Sequence, residues 1–143
     1  MKFGEVNHDE WPALQPYLDT CLLPVTGVTG REPPAEAADR AAAAGALLKP
    51  LEQKFHGRTV TMPAFHYYEE RDEEKLADVC RRLKEEAGFR YVVLVTGTAG
   101  LLASRLPADL ILQPLPDEPP EQAAQRAVEG VIRLWKGLAA TDE

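Results

Sequence analysis

Cysteine is scarce in this chain, and the two that occur exclude the metal and redox arrangements that cysteine pairs build. Cys21 and Cys80 lie far apart, outside any C-x-x-C spacing and inside apolar periodic segments, so both are expected as buried thiols. Long apolar runs are missing too. The opening residues, Met1 to Asp19, carry charges, prolines and Trp11, and no stretch has the length a signal peptide or membrane span requires. A cytoplasmic location without membrane insertion is the expectation. Nor is there a basic excess, because 23 acidic residues face 16 basic ones for a net charge of -7. A polyanion is held by clustered Lys and Arg that displace its counterions, so no nucleic-acid surface is expected. Arg81, Arg82 and Lys84 are interleaved with Asp78, Glu85 and Glu86 rather than grouped.

Catalytic signatures are equally sparse. Ser104 is the only serine and no G-x-S-x-G elbow surrounds it; G-x-G-x-x-G and the Walker lysine pattern are absent; His8, His56 and His66 have no ligand spacing. These absences predict no catalytic residue set, no metal and no cofactor.

What is present specifies a fold. A chain of 143 residues suits one domain spanning 1–143 with a core of its own. Asn7 to Leu14 reads as a short capped helix ending by Pro16. Asp19 to Val25 is an apolar run bounded by turn residues, the pattern of a strand buried on both faces. An alanine-rich helix starts near Ala35, with Gly45 and Pro50 expected to break it in two, a stripe of Ala37, Ala41, Ala44, Leu48, Leu51 and Phe55, and a cap at Gly57. Thr59 to Met62 is the second strand. Asp72 is expected to cap a third helix with a stripe of Leu76, Val79, Cys80, Leu83 and Ala87, ending before Gly88.

Tyr91 to Val95 has no polar face and must be a central strand. A helical turn from Thr98 to Arg105 is expected before the fourth strand, Asp109 to Leu112. A final helix opens at Asp117, Pro119 and Pro120 and runs through Ala124, Val128, Val131, Leu134, Trp135 and Leu138. Strands alternating with helices predict a three-layer α/β/α sandwich with a mainly parallel sheet of about four strands, Rossmann-like or flavodoxin-like, in the order 2-1-3-4.

Ligands of such sheets bind beyond the carboxyl ends of the strands, where strand order reverses. That rule brings Thr26, Arg31, His66, Tyr67, Thr96 and Thr98 to one edge as the expected ligand-binding residues. Thr26-Gly27-Val28-Thr29 resembles the T-G-x-T core of a flavodoxin phosphate loop, although Pro33 and Pro34 delay the helix that should follow. Thr96-Gly97-Thr98-Ala99-Gly100 is read as a strand-to-helix turn whose amides and Thr98 hydroxyl could hold an anion. Pro63 to Tyr68 offers a histidine beside two tyrosines with no partner to complete an acid-base set. The competing surface is Trp135, whose spacing from Val128, Val131 and Leu138 predicts core.

Three stretches carry a resemblance: Tyr17-Leu18-Asp19-Thr20-Cys21-Leu22-Leu23-Pro24-Val25, then Leu51-Glu52-Gln53-Lys54-Phe55-His56-Gly57-Arg58, then Met62-Pro63-Ala64-Phe65-His66-Tyr67. They resemble the uncharacterised YpiF-like family of Firmicutes, a domain of unknown function with a Y-I-D-T-x-L-I-P strand, L-E-x-x-F-x-G-R, and a strand ending in P-x-x-x-Y. The resemblance implies a bacterial source and, because the family's gene often lies beside those of a menaquinol to cytochrome c reductase, an accessory role in that system. Asp19 and Arg58 flank strands on the side away from the ligand crevice and are expected to form a structural ion pair. The expected function is a non-catalytic accessory or protein-interaction domain whose partner is another protein. The alternative is a protein binding a nucleotide, a flavin or another small anionic ligand through the glycine-containing loops.

Overall fold

The computed structural model describes residues 1–138; the expected domain end at 143 lies outside the described residues. Four strands, β1 (Thr20–Pro24), β2 (Thr59–Thr61), β3 (Tyr91–Val95) and β4 (Leu110–Leu112), form one sheet in the order β2-β1-β3-β4. Every pairing is parallel, with Leu22 opposite Thr61 and Val93, and Leu94 opposite Ile111. The expected strand order is the observed one. It follows from burial, because β1 and β3 are the apolar segments with no polar face to leave at an edge.

Helices cover both faces, giving the three-layer sandwich. On one face α2 (Pro34–Lys54) packs beside α4 (Pro120–Trp135), closing a core of Leu22, Leu47, Leu51, Val93, Val95, Ala127 and Val131. On the other, α3 (Glu73–Glu85) and the short α1 (Trp11–Leu14) cover Cys21, Leu23, Val25, Val92 and Leu94. Both cysteines are buried here and free. Burial pushes the Cys80 thiol up to about 11 and the Cys21 thiol higher still. Among the described residues no helix is long and apolar enough to cross a membrane.

Several local expectations are corrected. The alanine-rich helix is one unbroken α2 of 21 residues with Pro50 inside it. A proline there costs about 3 kcal/mol and Gly45 about 1, yet only a continuous helix puts Ala44, Leu47 and Leu51 on one buried face, and Ala41 falls outside it. Gly57 does not cap that helix; its last turn ends at Phe55, whose carbonyl accepts from the Arg58 and Thr59 amides. Asp72 stands before α3 but turns back, its carboxylate accepting from the Glu69 amide. α3 ends at Glu85, so Ala87 lies beyond it and is exposed, and Ala77 joins the buried stripe. In α4 the buried line is Ala123, Ala127 and Val131, and Leu138 is exposed.

The largest correction concerns Thr98 to Arg105, which contains turns and bends but no helix. The Gln113 side chain accepts from the Leu102 amide at 2.9 Å and donates to the Leu102 carbonyl at 3.0 Å. Those are the backbone groups a helix would have used itself.

Candidate functional site

The carboxyl edge is assembled around the end of β1. Val25 donates its amide to the Val95 carbonyl, Phe65 donates to Pro24, and Thr26 donates to Phe65. The segment after β1 is thereby locked between the loops that follow β3 and β2. Thr26 is buried, and its hydroxyl lies 3.0 Å from His66 Nδ1. Gly27 has φ +80°, and a Cβ on it would come within 2.8 Å of the Thr98 hydroxyl, so the first and third loops meet at this glycine. Arg40 of α2 reaches over to donate to the Gly27 carbonyl at 2.7 Å.

Of the six expected residues, four (Arg31, His66, Tyr67 and Thr98) reach this edge with accessible side chains, and Thr26 lies buried beneath them. Thr26 pairs with His66, and Thr98 abuts Gly27. Tyr67 lies beside Gly30, where a Cβ would meet its ring at 3.6 Å. Arg31 makes a bidentate pair with Glu69, at 3.1 and 2.8 Å. Thr96 is different: it is fully buried, and its hydroxyl accepts from the Thr98 amide at 3.3 Å.

The amides that would cradle an anion are already used. Glu32 folds back so that its carboxylate accepts from the Thr29 amide at 2.9 Å, the Gly30 amide at 3.0 Å and the Thr29 hydroxyl at 2.6 Å. Arg40 stands 3.3 Å from the same carboxylate. The Thr29 hydroxyl, then the backbone amides, hold the Glu32 carboxyl down to about 2. Glu32 therefore sits where the phosphate-loop resemblance would seat a phosphate, and Pro33 and Pro34 add no N–H. The third loop offers no cradle either. No helix follows Thr98, and Gly97 is required for packing, since a Cβ there would come within 2.3 Å of the Ala43 backbone in α2.

Tyr67 is the feature of this edge that its neighbours do not explain. Its side chain is exposed, at 68%, and its backbone is left-handed at φ 58°. A bulky residue adopts that region at a cost. Among the described residues no group of three His, Cys, Asp or Glu is placed to hold a metal.

The opposite edge holds the expected structural pair. Arg58 Nε lies 3.0 Å from Asp19 Oδ1, and its guanidinium stacks 4.1 Å from the Trp135 ring centroid. Trp135 donates to the Thr20 hydroxyl at 2.9 Å and packs edge-on against Phe55. Its polar atom and one ring face are spent internally, so Trp135 is a strut rather than an anchor for a partner.

Sequence reasoning missed Glu32, Glu69 and Arg40, the side chains that shape the carboxyl edge. A signal for Glu32 was present in Thr29-x-x-Glu32, the spacing by which a carboxylate returns to a loop amide. Arg40 and Glu69 carry no such local signal.

No curated protein and no solved structure matches this chain. A family model does match, over residues 9–111, a span running from the turn before α1 through β1, α2, β2, α3 and β3 into β4. It includes all six edge residues and both members of the Asp19–Arg58 pair, and leaves out α4. The chain belongs to this family, DUF2487, described as proteins of unknown function.

Proposed function

We propose that this protein is a non-catalytic interaction domain that presents its carboxyl edge to another protein, with Tyr67 as the anchor. The observation that carries the reading is the pairing of a strained, exposed aromatic with surroundings that are already satisfied. Glu32 fills the amides of the first loop, Glu69 holds Arg31, and Thr96 is closed over by Thr98. A surface of that kind has little left to offer a phosphate. It has an amphipathic ring to insert into a partner's pocket, and tyrosines are enriched among the residues that dominate interface energetics. Backbone strain at an exposed residue persists only where the structure around it holds it in place, and such strain gathers at recognition sites.

The resemblance to YpiF-like proteins chooses the first partner to try, the subunits of a menaquinol to cytochrome c reductase, and makes an accessory role in a bacterial cytoplasm the working context. Purified subunits immobilised as bait should retain the wild-type chain and lose Tyr67→Ala at least tenfold, with Trp135→Phe, a folded control, retained. Equal retention of Tyr67→Ala would overturn the anchor assignment. The alternative, a nucleotide- or flavin-binding protein, requires that FMN or ATP raise the melting temperature by several degrees, since selective binding to the folded state must stabilise it. No shift is expected.

A further inference from the structure

The face of the sheet under α2 differs from the rest of the core in carrying hydroxyls. Side chains alternate along β1, so Thr20, Leu22, Pro24 and then Thr26 point to the α2 side, as do Thr59 and Thr61 from β2. Most of these hydroxyls are satisfied within the protein. Thr20 accepts from Trp135, Thr59 donates to the Phe55 carbonyl at 3.0 Å, and Thr26 meets His66. Thr61 is the exception. It is 7% exposed, and its Oγ1 is buried without a hydrogen-bond partner. The second such atom nearby is Oε2 of Glu52, also buried and without a hydrogen-bond partner, while the Met1 ammonium lies near enough to interact with the carboxylate.

Both residues line the same groove. It has a volume of about 410 Å³, with Thr61 and Glu52 joined by Thr26, His66 and Lys2 as its polar lining. It exists because α2 presents small residues to it, Ala41, Ala44 and Gly45, before Leu48 closes the wall. A site of this size suits a small organic molecule, mostly apolar contacts with a few placed polar groups.

We propose that this groove, between α2 and the hydroxyl-bearing ends of β1 and β2, binds a small molecule with an apolar body and N–H or O–H donors. A buried polar atom left unpaired destabilises the free protein, so two of them lining one cavity mark where ligand donors and acceptors are matched. A carboxylate oxygen with no donor beside it selects for a ligand that brings one. Leu48 and Met62 supply the apolar wall. The inference stands apart from the Tyr67 surface and survives if that surface binds nothing.

The test titrates the full-length, ¹⁵N-labelled protein with benzylamine and benzyl alcohol as probes and benzoate as the control that carries no donor. Saturable amide shifts at Ala44, Leu48 and Thr61 are expected with at least one of the two donors, and binding at least tenfold weaker with benzoate. Glu52→Gln should weaken the bound donor at least tenfold. Thr61→Val, which replaces an unpaired hydroxyl with a methyl of the same shape, should weaken it severalfold while the melting temperature holds or rises. Any of three results would overturn the proposal: no saturable shift with either donor, benzoate matching them, or a Thr61→Val protein that melts lower and binds the probes as well as before.

Discussion

The two ends of the sheet solve the same problem by opposite means. At the amino end the contacts are long-range. Arg58 at the start of β2 pairs with Asp19 before β1 and stacks on Trp135 at the end of α4, which in turn reaches Thr20. At the carboxyl end long-range contacts such as Arg31–Glu69 are joined by local closures, in three of the four loops an acidic residue that turns back to a nearby amide. Glu32 takes Thr29, Asp72 takes Glu69, and Glu118 takes Leu115. The long-range end ties segments together and has no freedom to rearrange without loosening the fold. The carboxyl end adds these local closures to its contacts between loops, and it is where an exposed tyrosine is held in a strained conformation. Part of the acidic excess in the composition is accounted for here, since these carboxylates serve as internal anions.

The comparison presumes a core common to both ends, and the most damaging change removes it. Val93 is fully buried between β1 and β4. Val93→Asp should cost on the order of 3–5 kcal/mol, the range for an uncompensated buried charge, and abolish the cooperative transition in urea followed by circular dichroism. Retained stability would remove the central-strand assignment on which both ends depend. Next in size is the amino end itself. Arg58→Ala loses a bidentate contact and a stacked guanidinium, but the side chain is 38% exposed, so water screens part of the pairing and a loss of about 1–2 kcal/mol is expected. Asp19→Asn should lose less, because the stack on Trp135 remains. Equal losses would mean that the ion pair carries all of Arg58's contribution and the stack on Trp135 none of it.

The difference between the ends also explains what could be read from residues alone. Strands β1 and β3 were legible because a run such as Tyr91 to Val95 without a polar face has one place to go in an open sheet, and the strand order followed. The Asp19–Arg58 pair was legible because both flank strands whose parallel arrangement sets their starts side by side. Helix continuity across Pro50 was not, since local propensity argued for a break and the burial of Leu47 and Leu51 outweighed it. The segment from Thr98 to Arg105 was misread for a similar reason: Gln113, distant in sequence, captures the backbone of Leu102. At the edge, convergence of the loops was predictable from topology, but the occupation of their amides by Glu32 was not weighed. The orphaned atoms of Glu52 and Thr61 leave no trace in sequence, because only the three-dimensional neighbourhood shows that nothing meets them.

A smaller effect, visible as a pH dependence, separates the locally closed end from the other. The Glu32 and Glu118 carboxyls are both held down to about 2 from an ordinary 4.5, the first chiefly by the Thr29 hydroxyl and the second chiefly by Arg126. A carboxyl whose pKa is lowered on folding contributes stability that is fully present above the unfolded value and is lost as pH falls through the folded one. Urea midpoints should therefore be flat above about pH 5 and decline toward pH 2. The decline should be shallower in Glu32→Gln and shallower again in Glu32→Gln with Glu118→Gln. A wild-type decline unchanged in the double variant would show that these two carboxyls do not set the acid sensitivity.

The smallest expected change in stability is the one with the most to say about function. Tyr67 is left-handed at φ 58° and its ring is 68% exposed, so the residue incurs a backbone cost and recovers little of it through burial. Asparagine tolerates that conformation far better than a bulky residue does. Tyr67→Asn should then raise the stability of the free protein by about 0.5 kcal/mol, well below the typical cost of about 1 kcal/mol for a point substitution and opposite to it in sign. If Tyr67 is the anchor of an interface, the same variant should fail to be retained by a bait that retains the wild type, a gain in stability bought with a loss of binding. A lower midpoint for Tyr67→Asn would show that the ring contributes more to packing against Gly30 than its exposure indicates. The carboxyl end would then be held together by Tyr67 as firmly as the amino end is by Trp135, and the contrast between a structural end and a recognition end would fail.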